Sequence, residues 1–251
     1  MNETLKTIYN LHTTHGNFTS QCVDDETIKM ILDASVRAAN ASNRQSYSII
    51  VIRGEDNVQK IIGCGAKSPA ALLFCVDFNR IYDVGEYLGH PSDYDNLFNY
   101  LTAHTDTAIV AQTAVIAAAS LGLGSLYTNS IHNATRKNLI ELYKELNLPD
   151  KHFFPVTAVL LGYEDKIPNH KKGRLNDIGI VHYNKYEKLT TEQKQEVIET
   201  INSPENYFGA TGGCSTYLEF YYTRWAAPKS ADEIKIVDEI LFERLISFID
   251  K

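Results

Sequence analysis

Between Asn40 and Gln45 the chain reads NASNRQ. Asn40, Ser42, Asn43 and Gln45 can each donate and accept hydrogen bonds, the chemistry needed to hold the edge of a polar planar ring. A second cluster is cationic: Lys171, Lys172 and Arg174 fall in the loop KIPNHKKGRL. Side chains two apart on an extended segment point the same way, so Lys172 and Arg174 can converge on one anion such as a phosphate. A third is LHTTHGNF at Leu11–Phe18, where His12 or His15 can carry a proton, Thr13 and Thr14 offer hydroxyls, and Gly16 allows close backbone approach. The fourth is Thr128, Asn129 and Ser130. Each also reads as something plainer: a helix cap, a solvated loop or a turn. The residues alone leave both readings open.

Other signals are negative. The chain has no GxSxG elbow, no HExxH and no dinucleotide GxGxxG, and GATGG at Gly209–Gly213 lacks the Lys-Ser/Thr of a phosphate loop. His90, Asp93 and Asp95 sit in a stretch too polar to separate ligands from loop, so no metal site is expected. A net charge of −7 over 251 residues argues against a polyanion binder, so no nucleic-acid partner is expected. The four cysteines form no CxxC pair, which suits a reducing compartment. The N-terminus lacks a signal-peptide core, and the longest apolar run, Thr107–Leu123, is broken by Gln112, Thr113 and Ser120. These features point to a cytoplasmic protein without a membrane span.

The elements that must position the clusters follow from periodicity. Residues 3–10 suit a short helix. Asp24 or Asp25 can cap the next one, which places Ile28, Ile31, Leu32, Val36 and Ala39 at helical spacing. Ser48–Ile52, Ala70–Phe78 and Phe153–Tyr163 read as buried strands, and Asp56–Gly63 as a short helix. Residues 79–105 are long for a plain loop, so they contain helix or line a site. Thr107–Leu123, alanine-rich and apolar nearly all round, belongs in a core or against a partner. Further helices are expected at Thr135–Leu146, Thr190–Ile201 and Ser230–Ile249, the last with a capping box from Ser230 to Glu233. The aromatic stretch Asn206–Trp225 can pack the domain, wrap a partner or roof a pocket.

Taken in order, the clusters resemble the nitroreductase family of flavin mononucleotide (FMN) oxidoreductases. That family opens with an Arg-Arg-Ser-x-Arg-x-Phe-like loop, which here reads HTTHGNF. Its helix breaks at a Pro-Ser-x-x-Asn-x-Gln-Pro-Trp corner, where ANASNRQSY keeps Asn43 and Gln45. Its AAQNxxLAAxxLGLGS helix is similar to IVAQTAVIAAASLGLGS, and its Gly-Tyr strand end with a basic loop is similar to GYEDKIPNHKKGRL. The resemblance covers roughly residues 5–188. It implies an α+β fold with a mixed, mostly antiparallel sheet wrapped by helices, in an interlocked homodimer whose FMN sites form between subunits. It implies that His12, Thr13 and Thr14 lie near the phosphate and ribityl chain, with Lys172 and Arg174 clamping the phosphate. Asn40, Ala41, Asn43 and Gln45 then border the isoalloxazine ring, and Thr128, Asn129 and Ser130 face it near N5.

What the resemblance implies is an oxidoreductase that passes hydride from NADH or NADPH through FMN N5 to a small nitroaromatic or quinone-type acceptor. No side chain is nominated as catalytic. Residues 1–189 form the expected FMN domain, and 190–251 an extension on that domain or on the partner. The first-loop arginines of the family are absent and Tyr47 stands where Trp is common, so weaker FMN retention is expected. Two alternatives stay open: a flavin-binding protein with other chemistry, such as reductive dehalogenation or flavin storage, and a non-enzymatic interaction module.

Overall fold

The computed structural model describes residues 1–132, 139–167, 173–204, 213–227 and 231–245. It divides into two compact units, Met1–Lys166 with Ser230–Lys251, and Ile167–Lys229.

The first unit is built on four strands: β1 (Tyr47–Arg53), β2 (Ala70–Asp77), β3 (Gly124–Thr128) and β4 (Phe153–Gly162). Their order is β1-β2-β4-β3. The resemblance implies a mixed sheet; every pairing between strands of the described residues is antiparallel. β4 is buried along its whole length and β2 nearly so, as their unbroken apolar sequences require. Pro155 interrupts β4, and the ladder with β2 shifts register there, between Phe74 and Cys75. A proline has no N–H to give the ladder, and a bulge absorbs that loss.

Helices cover both faces. On one side, α2 (Asp25–Ser35) and α5 (Leu97–Ser120) pack Ile28, Ile31, Val110, Ala111, Ala114 and Ala118 against Leu72, Phe74, Val159 and Leu161. Alanines 111, 114 and 118 recur at one helical face, so α5 lies close on the sheet. On the other side, α3 (Glu55–Ile62), α6 (Leu139–Glu145) and α9 (Ala231–Arg244) bury Val58, Ile62, Leu142 and Ile240 beside Leu73 and Leu160. Two shorter helices, α1 (Glu3–Asn10) and α4 (Asn79–Tyr87), complete the unit.

The differences from the periodicity are local. α2 is capped by Asp24, whose carboxylate accepts the Thr27 N–H at 2.7 Å, and it ends at Ser35, leaving Val36 exposed. α5 begins at Leu97, not Thr107, because Asn96 caps it and Ala103 packs its first turns into the core. The long polar stretch 79–105 is thus mostly helix. The expected start of the helix near residue 135 and the Ser230–Glu233 capping box lie outside the described residues.

The second unit holds α7 (Thr191–Asn202), with a capping box between Thr190 and Gln193, and α8 (Tyr217–Arg224). The Leu218 N–H donates to Asn202 Oδ1 at 3.0 Å and joins the two. Of the aromatic stretch, Tyr222 and Trp225 are exposed, whereas Tyr207 and Phe208 lie outside the described residues.

Leu245, just after α9, is almost fully buried in the core. Leu245→Ala is expected to lower stability by about 2–5 kcal/mol through the cavity it leaves, read as a fall in the urea midpoint.

Candidate functional site

The corner after α2 is held in an unusual backbone conformation. Ser42, Asn43 and Gln45 have φ of 52°, 54° and 51°, left-handed values that cost free energy in residues other than glycine. Several side chains impose it. Both carboxylate oxygens of buried Asp106, on α5, accept the Ala41 N–H at 3.0 Å. Asn40 Oδ1 accepts the Gln45 N–H at 3.1 Å, and Arg44 Nε donates to the Ala41 carbonyl at 3.2 Å. The Arg44 guanidinium also bonds Tyr94 Oη and lies 5.6 Å from the centre of that ring. From α4, Arg80 donates to the carbonyls of Gln45 and Tyr47. The result is a rim with Asn43 and Gln45 exposed at its edge.

Under that rim Tyr47 is buried, and its hydroxyl has no hydrogen-bond partner among the described residues. Burial, with Asp106 close by, raises its pKa despite the opposing Arg80, so the phenol stays protonated.

The first loop is stitched to the other end of the sheet. The Thr14 N–H donates to the Ser125 carbonyl at 2.9 Å, the Thr19 N–H to Tyr163 at 2.8 Å, and Asn17 accepts from the Asp165 N–H at 2.9 Å. Thr14 is fully buried, and its hydroxyl donates to Glu164 Oε1 at 2.8 Å. His12 Nε2 lies 2.8 Å from Glu164 Oε2, and its Nδ1 donates to the Asn10 carbonyl at 3.1 Å. Thr13 is exposed. Thr14 therefore holds the loop in place, while Thr13 and the edge of His12 face outward.

At the end of β3, Thr128 and Ser130 bond each other through their hydroxyls at 2.8 Å, and Thr157 donates to the Thr128 carbonyl at 3.1 Å. Asn129 is exposed, and its carbonyl accepts the His132 N–H at 3.0 Å. His132 Nε2 donates to the Pro155 carbonyl at 2.8 Å; burial outweighs that bond and lowers its pKa, with His104 adding to the effect.

Register fixes how far apart these groups are. The first loop meets the sheet where Gly124 pairs with Gly162. The corner runs into Tyr47, which pairs with Val76, and Val76 pairs with Phe154. At about 3.3 Å per residue, the stretch of β4 from Phe154 to Gly162 separates the two by roughly 26 Å. One chain brings His12 to Thr14 and Glu164, and Asn40 to Gln45; it does not bring those two groups together. Arg174 is exposed in the second unit, its Nη1 donating to the Gly173 carbonyl at 2.9 Å. Lys172 lies outside the described residues.

Sequence reasoning missed Asp106, Arg80, Tyr94 and Glu164. Asp106 had a signal, because it is the one acid in the α5 sequence. Asp95, set aside as a metal ligand, has its Oδ2 2.5 Å from His152 Nδ1. Among the described residues no group of three or more His, Cys, Asp or Glu side chains is placed to hold a metal.

Sheet order, the long helix across one face and polar rims at both sheet ends define the α+β class that the sequence resembles. The family model described as nitroreductase family matches residues 12–163, and the chain belongs to the nitroreductase family. A Bacillus subtilis FMN reductase [NAD(P)H] is 28% identical over 243 residues, spanning 88% of this chain and 94% of its own. A Pseudomonas Cr(VI) reductase is 28% identical over 187 residues, 72% of this chain and 73% of its own. The structure of B. megaterium NfrA2 superposes with a TM-score of 0.82 at 25% identity, covering 97% of this chain and 99% of that one.

A Cβ on Gly124 falls 2.6 Å from Glu164 Cδ and overlaps Glu164 Cγ and Thr14 Oγ1. Gly124→Ala is expected to lower stability by about 1–3 kcal/mol, read as a drop in Tm.

Proposed function

We propose that this protein is an FMN-dependent oxidoreductase that oxidises NADH or NADPH and reduces a small acceptor of the nitroaromatic or quinone type. The observation that carries the reading is the corner. Three left-handed residues are held from outside by Asp106 and Arg80 and from within by Arg44, and they leave Asn43 and Gln45 exposed at an open edge. A flavin ring edge has both donors and acceptors, and amides answer both. Family membership and relatives named as FMN reductase and Cr(VI) reductase support the same conclusion.

The donor set fits FMN at the ring end through Asn40, Ala41, Asn43 and Gln45, with Thr128, Asn129 and Ser130 as the opposing group. For the phosphate end the residues proposed are Lys172 and Arg174, and for the ribityl chain His12 and Thr13. Thr14, being buried, acts by fixing the loop. When bound, FMN supplies hydride transfer between the nicotinamide and the acceptor, a chemistry for which the protein provides binding and orientation. The corner fixes the ring edge, and no side chain is assigned to proton transfer.

The separation of the two rims favours a homodimer in which one chain's first loop and its partner's corner complete each of two FMN sites. Apolar side chains exposed on α1 and α5, among them Ile8, Leu97, Phe98 and Leu101, give a second copy a surface to cover. Residues 1–189 are then the FMN domain. Residues 190–251 extend it, and the burial of Ile240 and Leu245 supports packing of the last helix on the same domain. Among the described residues no helix is long and apolar enough to cross a membrane; a cytoplasmic location remains part of the proposal.

Purified protein is expected to be yellow, to bind one FMN per chain, and to oxidise NADH or NADPH when a quinone or nitroaromatic is added. Colourless protein that takes up no added FMN defeats the reading; bound FMN without turnover points to a flavin carrier. Lys172→Ala with Arg174→Ala is expected to raise the FMN dissociation constant by about a hundredfold or more, since each lost charge-assisted bond to phosphate costs roughly 1.5–3 kcal/mol. Light scattering is expected to give twice the 28.2 kDa chain mass.

A further inference from the structure

The first loop has a carboxylate built into it. Glu164 follows β4 and reaches under the loop, where Oε2 meets His12 Nε2 and Oε1 accepts from Thr14, each at 2.8 Å. Its side chain is 8% exposed and that of His12 is 21% exposed. The space it fills exists because residue 124 has no side chain. The loop itself, Leu11–Phe18, contains no lysine or arginine.

Charge counting sets a limit on what this arrangement offers an anion. With the imidazole protonated, the His12–Glu164 pair is neutral; with it unprotonated, the pair is negative. In neither state is it positive. The His12 Nε2 edge and the Thr14 hydroxyl are both engaged by Glu164. Other parts of a flavin carry no such charge and are indifferent to it.

We infer that Glu164 is a specificity-determining residue that weakens the grip on the flavin phosphate and narrows the preference for FMN over riboflavin. The inference rests on the proposed flavin site, with the first loop at its phosphate end. Glu164→Gln separates charge from shape. The amide oxygen still accepts from Thr14, the amide nitrogen can donate to an unprotonated His12, and the pair becomes neutral or positive.

The test is the dissociation constant of FMN and of riboflavin, each measured by quenching of flavin fluorescence as protein is added. E164Q is expected to tighten FMN by about 3- to 10-fold, the size of one partly screened charge near a phosphate, and to leave riboflavin unchanged. Glu164→Asp keeps the charge and is expected to bind FMN no tighter than the parent. The inference is overturned if E164Q leaves FMN binding unchanged or weaker, if riboflavin shifts in parallel, or if Glu164→Asp tightens FMN as much as Gln does. Should E164Q not fold, Glu164→Ala carries the same expectation and the same refutation. If the parent protein binds neither flavin, the proposed function itself fails and this inference with it; binding of both with an unmoved ratio removes the inference alone.

Discussion

The register of β4 governs everything else in the first unit. Ten buried residues are locked to β2 on one side and β3 on the other, and they set the corner and the first loop at opposite ends of one sheet. A one-residue slip would reverse every inward side chain of a strand covered on both faces, so the spacing is rigid. Two polar rims about a sheet-length apart cannot both touch a ligand of flavin size within one chain. That constraint, more than any single contact, favours a site completed by a second copy.

At each rim the polar backbone is held by a buried acid that comes from elsewhere in the chain. Asp106, deep in an otherwise uncharged helix, accepts the Ala41 N–H, and Glu164, at a strand end, gathers His12 and Thr14. A buried carboxylate must be bonded, so each acid ties a loop to the rigid core. At the corner this holds backbone strain in place, with Arg44 bonding back to Ala41 within the corner and Arg80 bonding Gln45 from α4. At the first loop the same device has an electrostatic side effect, since the carboxylate that orders the loop also offsets any positive charge on His12.

Much of this was legible in the residues. Apolar runs gave β2 and β4, Asp24 or Asp25 was the expected cap of α2, and a charged helix was expected from Thr190, where α7 starts. The corner and the first loop stood out because amides, hydroxyls and histidines cluster there. Element ends were harder. The first turns of α5 follow a long polar stretch, and the Asn96 cap with the packing of Tyr100 and Ala103 on the core is what makes them helix. Thr14 shows the same limit: a threonine that lines a ligand and one that props a loop look alike until burial is known.

The sequence by itself determined three of the four strands, most of the helices, the polar clusters and the family they resemble, because periodicity and local residue chemistry are properties of neighbours in the chain. Tertiary structure alone decided that Asp106 grips Ala41, that Glu164 grips His12 and Thr14, and that the two rims stand a sheet apart. Those facts join residues 65 and 152 positions apart, or follow from strand register, and such pairings arise only when the chain has folded.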